Sequence, residues 1–266
     1  NTGSVNNLGV EWNTKESGLN VGLEFIGNFE YNNLTQSIVV SSGSDKQNWD
    51  LVYYSSEDST KNAHIQFRSN MSETGSADIL TNWVFNDKLT SDVLPITEDN
   101  GRYPWHILVQ RTGDSDYNGY NGNFPLTSSI EMHIARRIDD VVTHYWSGSI
   151  SLSGSKSTNF ISTGSNLPTG EDNLWFGNPP AGNNTTGNHH FTGSISEIRI
   201  LAQPMTASKF YTHVFNPDSV VGDTKDGFMD VIHRYSFKGN YFRRDLLGRI
   251  CYRYQCQIRC HGGRSG

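Results

Sequence analysis

Cysteine is missing from the first 250 residues of this 266-residue chain. The three cysteines, Cys251, Cys256 and Cys260, all lie close to the C-terminus. No disulfide can therefore hold the body of the protein, which excludes a small secreted scaffold that depends on disulfide bridges. The body must be held by packing, as in proteins that fold in a reducing compartment.

Long apolar runs and proline are also scarce. No run approaches the roughly 20 apolar residues that a helix needs to cross a bilayer, so no membrane insertion is expected. The chain has 8 prolines against 26 glycines, and its mean hydropathy is -0.56. It opens at Asn1 without a signal peptide, and we expect a processed or truncated N-terminus. Such a composition is typical of a turn-rich, all-β protein.

Basic residues are rare outside the C-terminal tail. Residues 234–266 hold 8 of the 21 Lys and Arg residues but 1 of the 27 Asp and Glu residues. The preceding 233 residues therefore carry 13 basic and 26 acidic groups. An acidic body disfavours a nucleic-acid partner, because phosphate binding needs clustered positive charge.

Alternation of apolar and polar residues is what the chain has in quantity. In the segment 103–111, Trp105, Ile107 and Val109 share one face of a predicted strand. The same period of two predicts strands at 19–25, 37–40, 49–54, 63–68, 129–136, 141–150, 173–178 and 190–200, and a weaker one near 84–85. These strands predict an antiparallel β-sandwich, and the chain length suits one large sandwich or two small domains.

One helix and three regions complete the predicted organisation. Met205–Val214 is the only plausible helix, and Pro204 suits its first turn. The Gly- and Ser-rich residues 147–170 are predicted to be a loop or edge region. We divide the chain into an N-terminal lead-in (1–18), the β-sandwich (19–214) and a linker with a C-terminal extension (215–266).

Two motifs carry a family resemblance. The run NLWFGN at 173–178, a loop and then FTGSISEIRI at 191–200 are predicted to be two short closing strands, and YPWHILVQR at 103–111 is predicted to be a Trp-bearing strand. These motifs resemble the laminin-G-like, or concanavalin A-like, jelly-roll superfamily of lectins and glucanases. The matching positions of these closing strands are Leu174, Phe176, Gly177, Phe191, Gly193, Ile195, Glu197, Ile198 and Ile200. Residues 230–247 resemble the opening of another such unit.

The resemblance implies an antiparallel jelly-roll sandwich, but it does not imply catalysis. Glucanases of this fold carry Glu-x-Asp-x-x-Glu on one strand, where carboxylates act as nucleophile and general acid. This sequence has no such run and no Gly-x-Ser-x-Gly nucleophile elbow. Glu131 and Glu197 are lone strand carboxylates that we expect to be solvated. The chain is therefore predicted not to be an enzyme, and a glycosidase with an unrecognised carboxylate pair is a third, weaker hypothesis.

One loop matches the first half of a calcium-binding motif. Asp114, Asp116 and Asn118, followed by Gly119, fit D-x-D-x-N-G, in which short oxygen-bearing side chains converge on a hard cation. The twelfth position holds Pro125 in place of the bidentate glutamate. The segment predicts either a Ca²⁺ site or an Asx-rich turn between strands.

Aromatic residues in the same loop suggest sugar binding. Tyr117, Tyr120 and Asn121 combine rings with an amide, which suits the apolar faces and hydroxyl rims of pyranoses. Tyr145 and Trp146 form a second aromatic pair. The alternative is that these rings pack between protein surfaces.

The cysteine-free body, the Gly/Ser/Asn-rich strands and the start of another module resemble virion proteins of tailed bacteriophages. The resemblance implies a structural or adhesion protein in a tail fibre, a tail or a capsid decoration. Its partners would be other virion proteins or itself, in a homo-oligomer, together with surface glycans. The alternative is a calcium-dependent lectin module of a cell-surface or extracellular protein.

Overall fold

A computed structural model gives the architecture of the chain. It describes residues 22–30, 34–42, 47–55, 62–73, 83–96, 102–113, 127–153, 173–177, 191–201, 204–217, 231–236, 241–244, 250–254 and 257–260.

The described residues form fourteen strands and one helix. The first eight strands are β1 (Gly22–Phe29), β2 (Gln36–Ser42), β3 (Gln47–Ser55), β4 (Ala63–Glu73), β5 (Trp83–Thr90), β6 (Trp105–Gly113), β7 (Thr127–Ile138) and β8 (Val141–Ser153). The others are β9 (Asn173–Phe176), β10 (Gly193–Leu201), α1 (Ala207–Phe215), β11 (Val231–Ser236), β12 (Tyr241–Arg244), β13 (Ile250–Tyr254) and β14 (Gln257–Cys260).

The strands make two antiparallel sheets that pack face to face. The nine-stranded sheet has the order β14-β13-β12-β11-β10-β1-β6-β7-β8, and the five-stranded sheet has the order β5-β4-β3-β2-β9. The predicted all-β sandwich is confirmed.

The space between the sheets is filled by the apolar faces of alternating strands. Phe25, Ile107 and Ile134 form one cross-strand row on the nine-stranded sheet, and all three are fully buried. Leu51 and Ile65 are equally buried on the facing sheet. Burying each such side chain contributes roughly 1.5–3 kcal/mol. The predicted inward face of β6 is thereby confirmed.

The helix α1 covers the outer face of the nine-stranded sheet. Phe210 and Val214 on α1 are fully buried against apolar residues of that face, among them Leu108 and Leu201. Thr206 caps the helix, because its hydroxyl accepts a hydrogen bond from the Lys209 backbone N–H at 3.3 Å.

The predicted helix is confirmed, but the prediction that Pro204 lies in its first turn was wrong. A Thr side chain satisfies a free backbone N–H of the first turn, so the helix begins at Ala207 instead. This nine-residue helix is too short to cross a membrane, and no longer apolar helix occurs in the described ranges.

Three features exceed the sequence predictions. The strand expected near 84–85 spans eight residues as β5. The first part of the predicted loop or edge region, 147–153, is the end of β8. Beyond α1, β11 pairs with β10 and continues the nine-stranded sheet. The predicted division at residue 215 remains a prediction.

Candidate functional site

The loop predicted to bind calcium and sugar lies outside the described residues. It joins β6 to β7, whose facing ends are the cross-strand partners Gly113 and Ser128. The predictions for its metal and sugar ligands therefore stay predictions; those residues are Asp114, Asp116, Asn118, Tyr117, Tyr120 and Asn121.

A buried ionic cluster lies between the nine-stranded sheet and α1. Glu24 on β1 and Arg199 on β10 are cross-strand partners that point to the outer face. Arg199 Nη1 donates to Glu24 Oε2 at 3.0 Å, and His213 Nδ1 on α1 donates to the same oxygen at 2.7 Å. All three side chains are at most 1% exposed. These three residues, with the neighbouring His106, are called the α1 cluster below.

A second ion pair extends the α1 cluster toward β11. Arg234 donates from Nε and Nη2 to the carboxylate of Glu197, and Arg199 Nε lies 3.4 Å from Glu197 Oε1. Arg199 Nη2 also donates to the carbonyl of Pro217, just after the helix. The expectation that Glu197 is solvated was therefore wrong. Because β11 adds a strand beside β10, Glu197 is enclosed and gains an arginine partner.

The cluster shifts the pKa values of two of its members. Burial alone would raise the pKa of Glu24, but Arg199 and His213 stabilise the carboxylate and lower its pKa to about 2. Burial lowers the pKa of His106 to about 4, because the charged imidazolium loses its hydration there. Nδ1 of His106 and Oε1 of Glu24 are buried without a hydrogen-bond partner. Acid would therefore place a charge on His106 that the nearby Glu24 carboxylate compensates only in part.

The α1 cluster is enclosed, so its chemistry is structural. A general acid or nucleophile must reach a substrate, whereas Glu24 is fully buried beneath α1. What the arrangement can do is couple the docking of α1 to protonation, since one helix residue and two strand residues share the charge. Sequence reasoning missed this cluster, although Glu24 and Arg199 occupy outward positions on two of the predicted strands.

A partly exposed aromatic patch lies on α1 and the edge strand β8. Tyr145 on β8 and Tyr211 on α1 have ring centroids 4.9 Å apart, and the Tyr145 hydroxyl lies 2.8 Å from His133 Nδ1. Tyr145 is 37% and Phe215 is 46% exposed. Tyr145, Tyr211 and Phe215 are called the aromatic patch below. Tyr145 was singled out from the sequence. The two helix residues were missed, although their spacing of four puts them on one helix face.

The outer face of the five-stranded sheet carries a second polar group of residues. Arg68 donates to both carboxylate oxygens of the buried Asp50, at 2.7 and 2.5 Å. Tyr54 stacks on His64 with centroids 5.2 Å apart, and burial raises the pKa of the Tyr54 hydroxyl. As at Glu24 and Glu197, a buried carboxylate here is bound by an arginine.

Comparisons with known proteins add no family. No protein-family model matches the chain, and no match was found among characterised protein sequences. The structure is similar to a native heptameric SAP-like pentraxin from Limulus polyphemus, with a TM-score of 0.39 and 10% identity over 73% of this chain and 69% of that one.

It is also similar to the enzymatically active domain of tailspike protein 2 of bacteriophage CBA120. The TM-score is 0.41 and the identity is 11%, over 74% of this chain. The match spans 24% of the tailspike chain. At such TM-scores the two likenesses carry no argument about what this chain does.

Proposed function

We propose that this chain is a non-enzymatic structural or adhesion protein of a tailed bacteriophage particle, in a tail fibre, a tail or a capsid decoration. Two observations support the proposal: the sequence resembles laminin-G-like virion proteins, and the part of the chain that forms most of the sandwich contains no cysteine. Such a body can fold in a reducing cytoplasm before it assembles into a particle.

The observation that carries the proposal is the use of the buried carboxylates. Glu24, Asp50 and Glu197 are each hydrogen-bonded to an arginine and shielded from solvent. A glycosidase needs two carboxyl groups facing one scissile bond, roughly 5–10 Å apart. Carboxylates that are neutralised in this way stabilise the fold. In this proposal, partners are bound by other residues, on the protein surface.

The recognition surface in this proposal is aromatic. Tyr145 and Phe215 are exposed and Tyr211 is half-buried against Tyr145, and aromatic residues are enriched where proteins bind one another. Partners would be other virion proteins, a second copy of the chain or surface glycans.

The test is to locate the protein. Mass spectrometry of purified particles should find the chain at a fixed copy number relative to the major capsid protein. Its absence from particles would refute the proposal. Polysaccharide hydrolysis by the purified chain that disappears in Glu131→Gln, but not in Asp92→Asn, would replace it with a glycosidase.

A calcium-dependent lectin at a cell surface is the second candidate. Its support is the position of the Asx-rich loop 114–126 between two paired strand ends, Gly113 and Ser128, which hold the loop's ends together. Calcium at millimolar concentration should raise the melting temperature, and Asp114→Asn should abolish the rise while the exposed Asp92→Asn keeps it.

Sugar binding by the same loop has its own test. Binding on a glycan array should require calcium and should be lost in Tyr120→Ala but kept in Tyr120→Phe, because stacking on a pyranose needs the ring. Calcium-independent binding, or none, would refute the lectin candidate.

A further inference from the structure

The strand β8 ends the nine-stranded sheet on one side. It is thirteen residues long and pairs along its whole length with β7. Within the described residues it pairs with no other strand. At about 3.4 Å per residue, it offers an edge roughly 44 Å long.

Edge strands are normally protected against pairing with other chains by charges, proline or short length. Of the other sheet edges, β5 carries Asp87 and Lys88, β14 carries Arg259, and β9 has four residues. The sequence of β8, VVTHYWSGSISLS, has no Lys, Arg, Asp, Glu or Pro. Among the sheet edges of the described residues, the longest is therefore the one without charges or proline; its register irregularity, at Thr143, lies near the start of the strand.

The side chains of β8 suit close approach by a second strand. Exposure alternates along the strand, and the exposed face at Ser147, Ser149 and Ser151 presents small hydroxyl side chains. Tyr145 on the same face belongs to the aromatic patch. A small-residue edge flanked by exposed rings combines backbone pairing with apolar area that association can bury.

We propose that β8 pairs antiparallel with β8 of a second copy of this chain, so that two nine-stranded sheets join across a two-fold axis. The inference deepens the proposed function by naming the interface of the homo-oligomer, and it rests on that proposal only for its biological setting.

A second copy fits better than a charged partner because an uncharged strand meets no like charge when it pairs with itself. With the axis at Ser147, residues that face each other differ in size. Trp146 faces Gly148, and Tyr145 faces Ser149. A charged peptide would find no ion pair along this edge.

The direct test is a charge swap at the axis, read by sedimentation over a concentration series. The unmodified chain should be dimeric. Ser147→Lys and Ser147→Glu should each weaken the dimer about tenfold or more, because two like charges meet at the axis. An equal mixture of the two variants should restore dimers, since Lys then faces Glu. Val93→Lys, at a 49% exposed site outside β8, should leave the dimer unchanged.

A monomeric unmodified chain, or a dimer that Ser147→Lys does not weaken, would overturn the inference. If the variants fail to fold, hydrogen exchange of the unmodified chain decides. The β8 amides should become more protected as concentration rises, and concentration-independent exchange would overturn the inference. If the chain forms dimers but is absent from particles, the interface stands and the virion proposal is refuted. If the chain is found in particles but is monomeric, the virion proposal stands and the interface is refuted.

Discussion

The two faces of the nine-stranded sheet use alternate residues of the same strands, and they are stabilised by different interactions. On the inner face, Phe25 and Ile107 are neighbours in an entirely apolar row. On the outer face, Glu24 and Arg199 form an ion pair that α1 completes with His213. Apolar contacts do not titrate, whereas a buried charge depends on its partners and on pH. The contribution of the inner face therefore does not depend on pH, whereas the docking of α1 on the outer face combines apolar contacts with buried charges that do.

The largest effect is expected from a cavity on the inner face. Phe25→Ala should lower the free energy of unfolding by about 4 kcal/mol, because a fully buried ring that meets Phe176 edge-on is removed. Denaturant unfolding at several pH values should find the same loss at each. A loss that varies with pH would break the comparison. Val93→Ala, at an exposed site, is the control.

Neutralising the outer carboxylate should have the next largest effect. Glu24→Gln should cost about 3 kcal/mol near neutral pH, because Arg199 and His213 lose the buried carboxylate that both contact, and Arg199 keeps only the more distant charge of Glu197. Glu131→Gln, which alters a partly exposed carboxylate of the same face, should cost about 1 kcal/mol or less. Equal losses in the two variants would contradict the role given to the α1 cluster.

Acid should destabilise the outer face through His106. In the unfolded chain the His106 imidazole is protonated near pH 6.5, whereas in the folded protein burial lowers its pKa to about 4. Stability contributed by neutral His106 is therefore present above pH 6.5 and is lost as the pH falls toward 4, by up to about 3 kcal/mol. Glu24 adds a further loss below pH 4.5, as its carboxylate is protonated toward pH 2.

Denaturant unfolding across this range measures the effect. His106→Leu should flatten the dependence between pH 6.5 and 4 and leave the loss below pH 4.5. A variant that keeps the full slope in the upper window would show that another group titrates there.

The smallest effect is expected at the aromatic patch. Tyr211→Ala should lower the free energy of unfolding by about 1 kcal/mol through loss of the ring contact with Tyr145. Tyr211→Phe keeps the ring and should change stability by less than half as much. If Tyr145→Ala and Tyr211→Ala cost as much together as the sum of each alone, the two rings do not stabilise one another.

The two faces of the nine-stranded sheet differ in how well the sequence predicts them. The inner face follows from alternation within single strands, so Trp105, Ile107 and Val109 were placed correctly. The outer face depends on which elements cover it. Nothing local in the sequence says that α1 covers Glu24 or that β11 encloses Glu197, and an alternating strand with one polar face normally predicts solvent there.

The candidate site divides in the same way. Tyr145 was recognisable as a ring on a polar strand, but its partner Tyr211 comes from a helix 66 positions away along the chain, and periodicity cannot pair them. The 13-residue length of β8 was underestimated because the sequence of its second half is rich in serine and glycine, which do not favour strands. Pairing with β7 nevertheless holds these residues in a strand.

The path of the chain around α1 has a consequence for how this element moves. β10 and β11 are neighbours in the sheet, and α1 lies between them in sequence. The helix is thus tethered at both ends to adjacent strands, and it can lift off without breaking a strand pair. A helix released in this way stays at a high effective concentration near the outer face of the nine-stranded sheet, where it docks. Its return should be a first-order process, equally fast in dilute and concentrated protein.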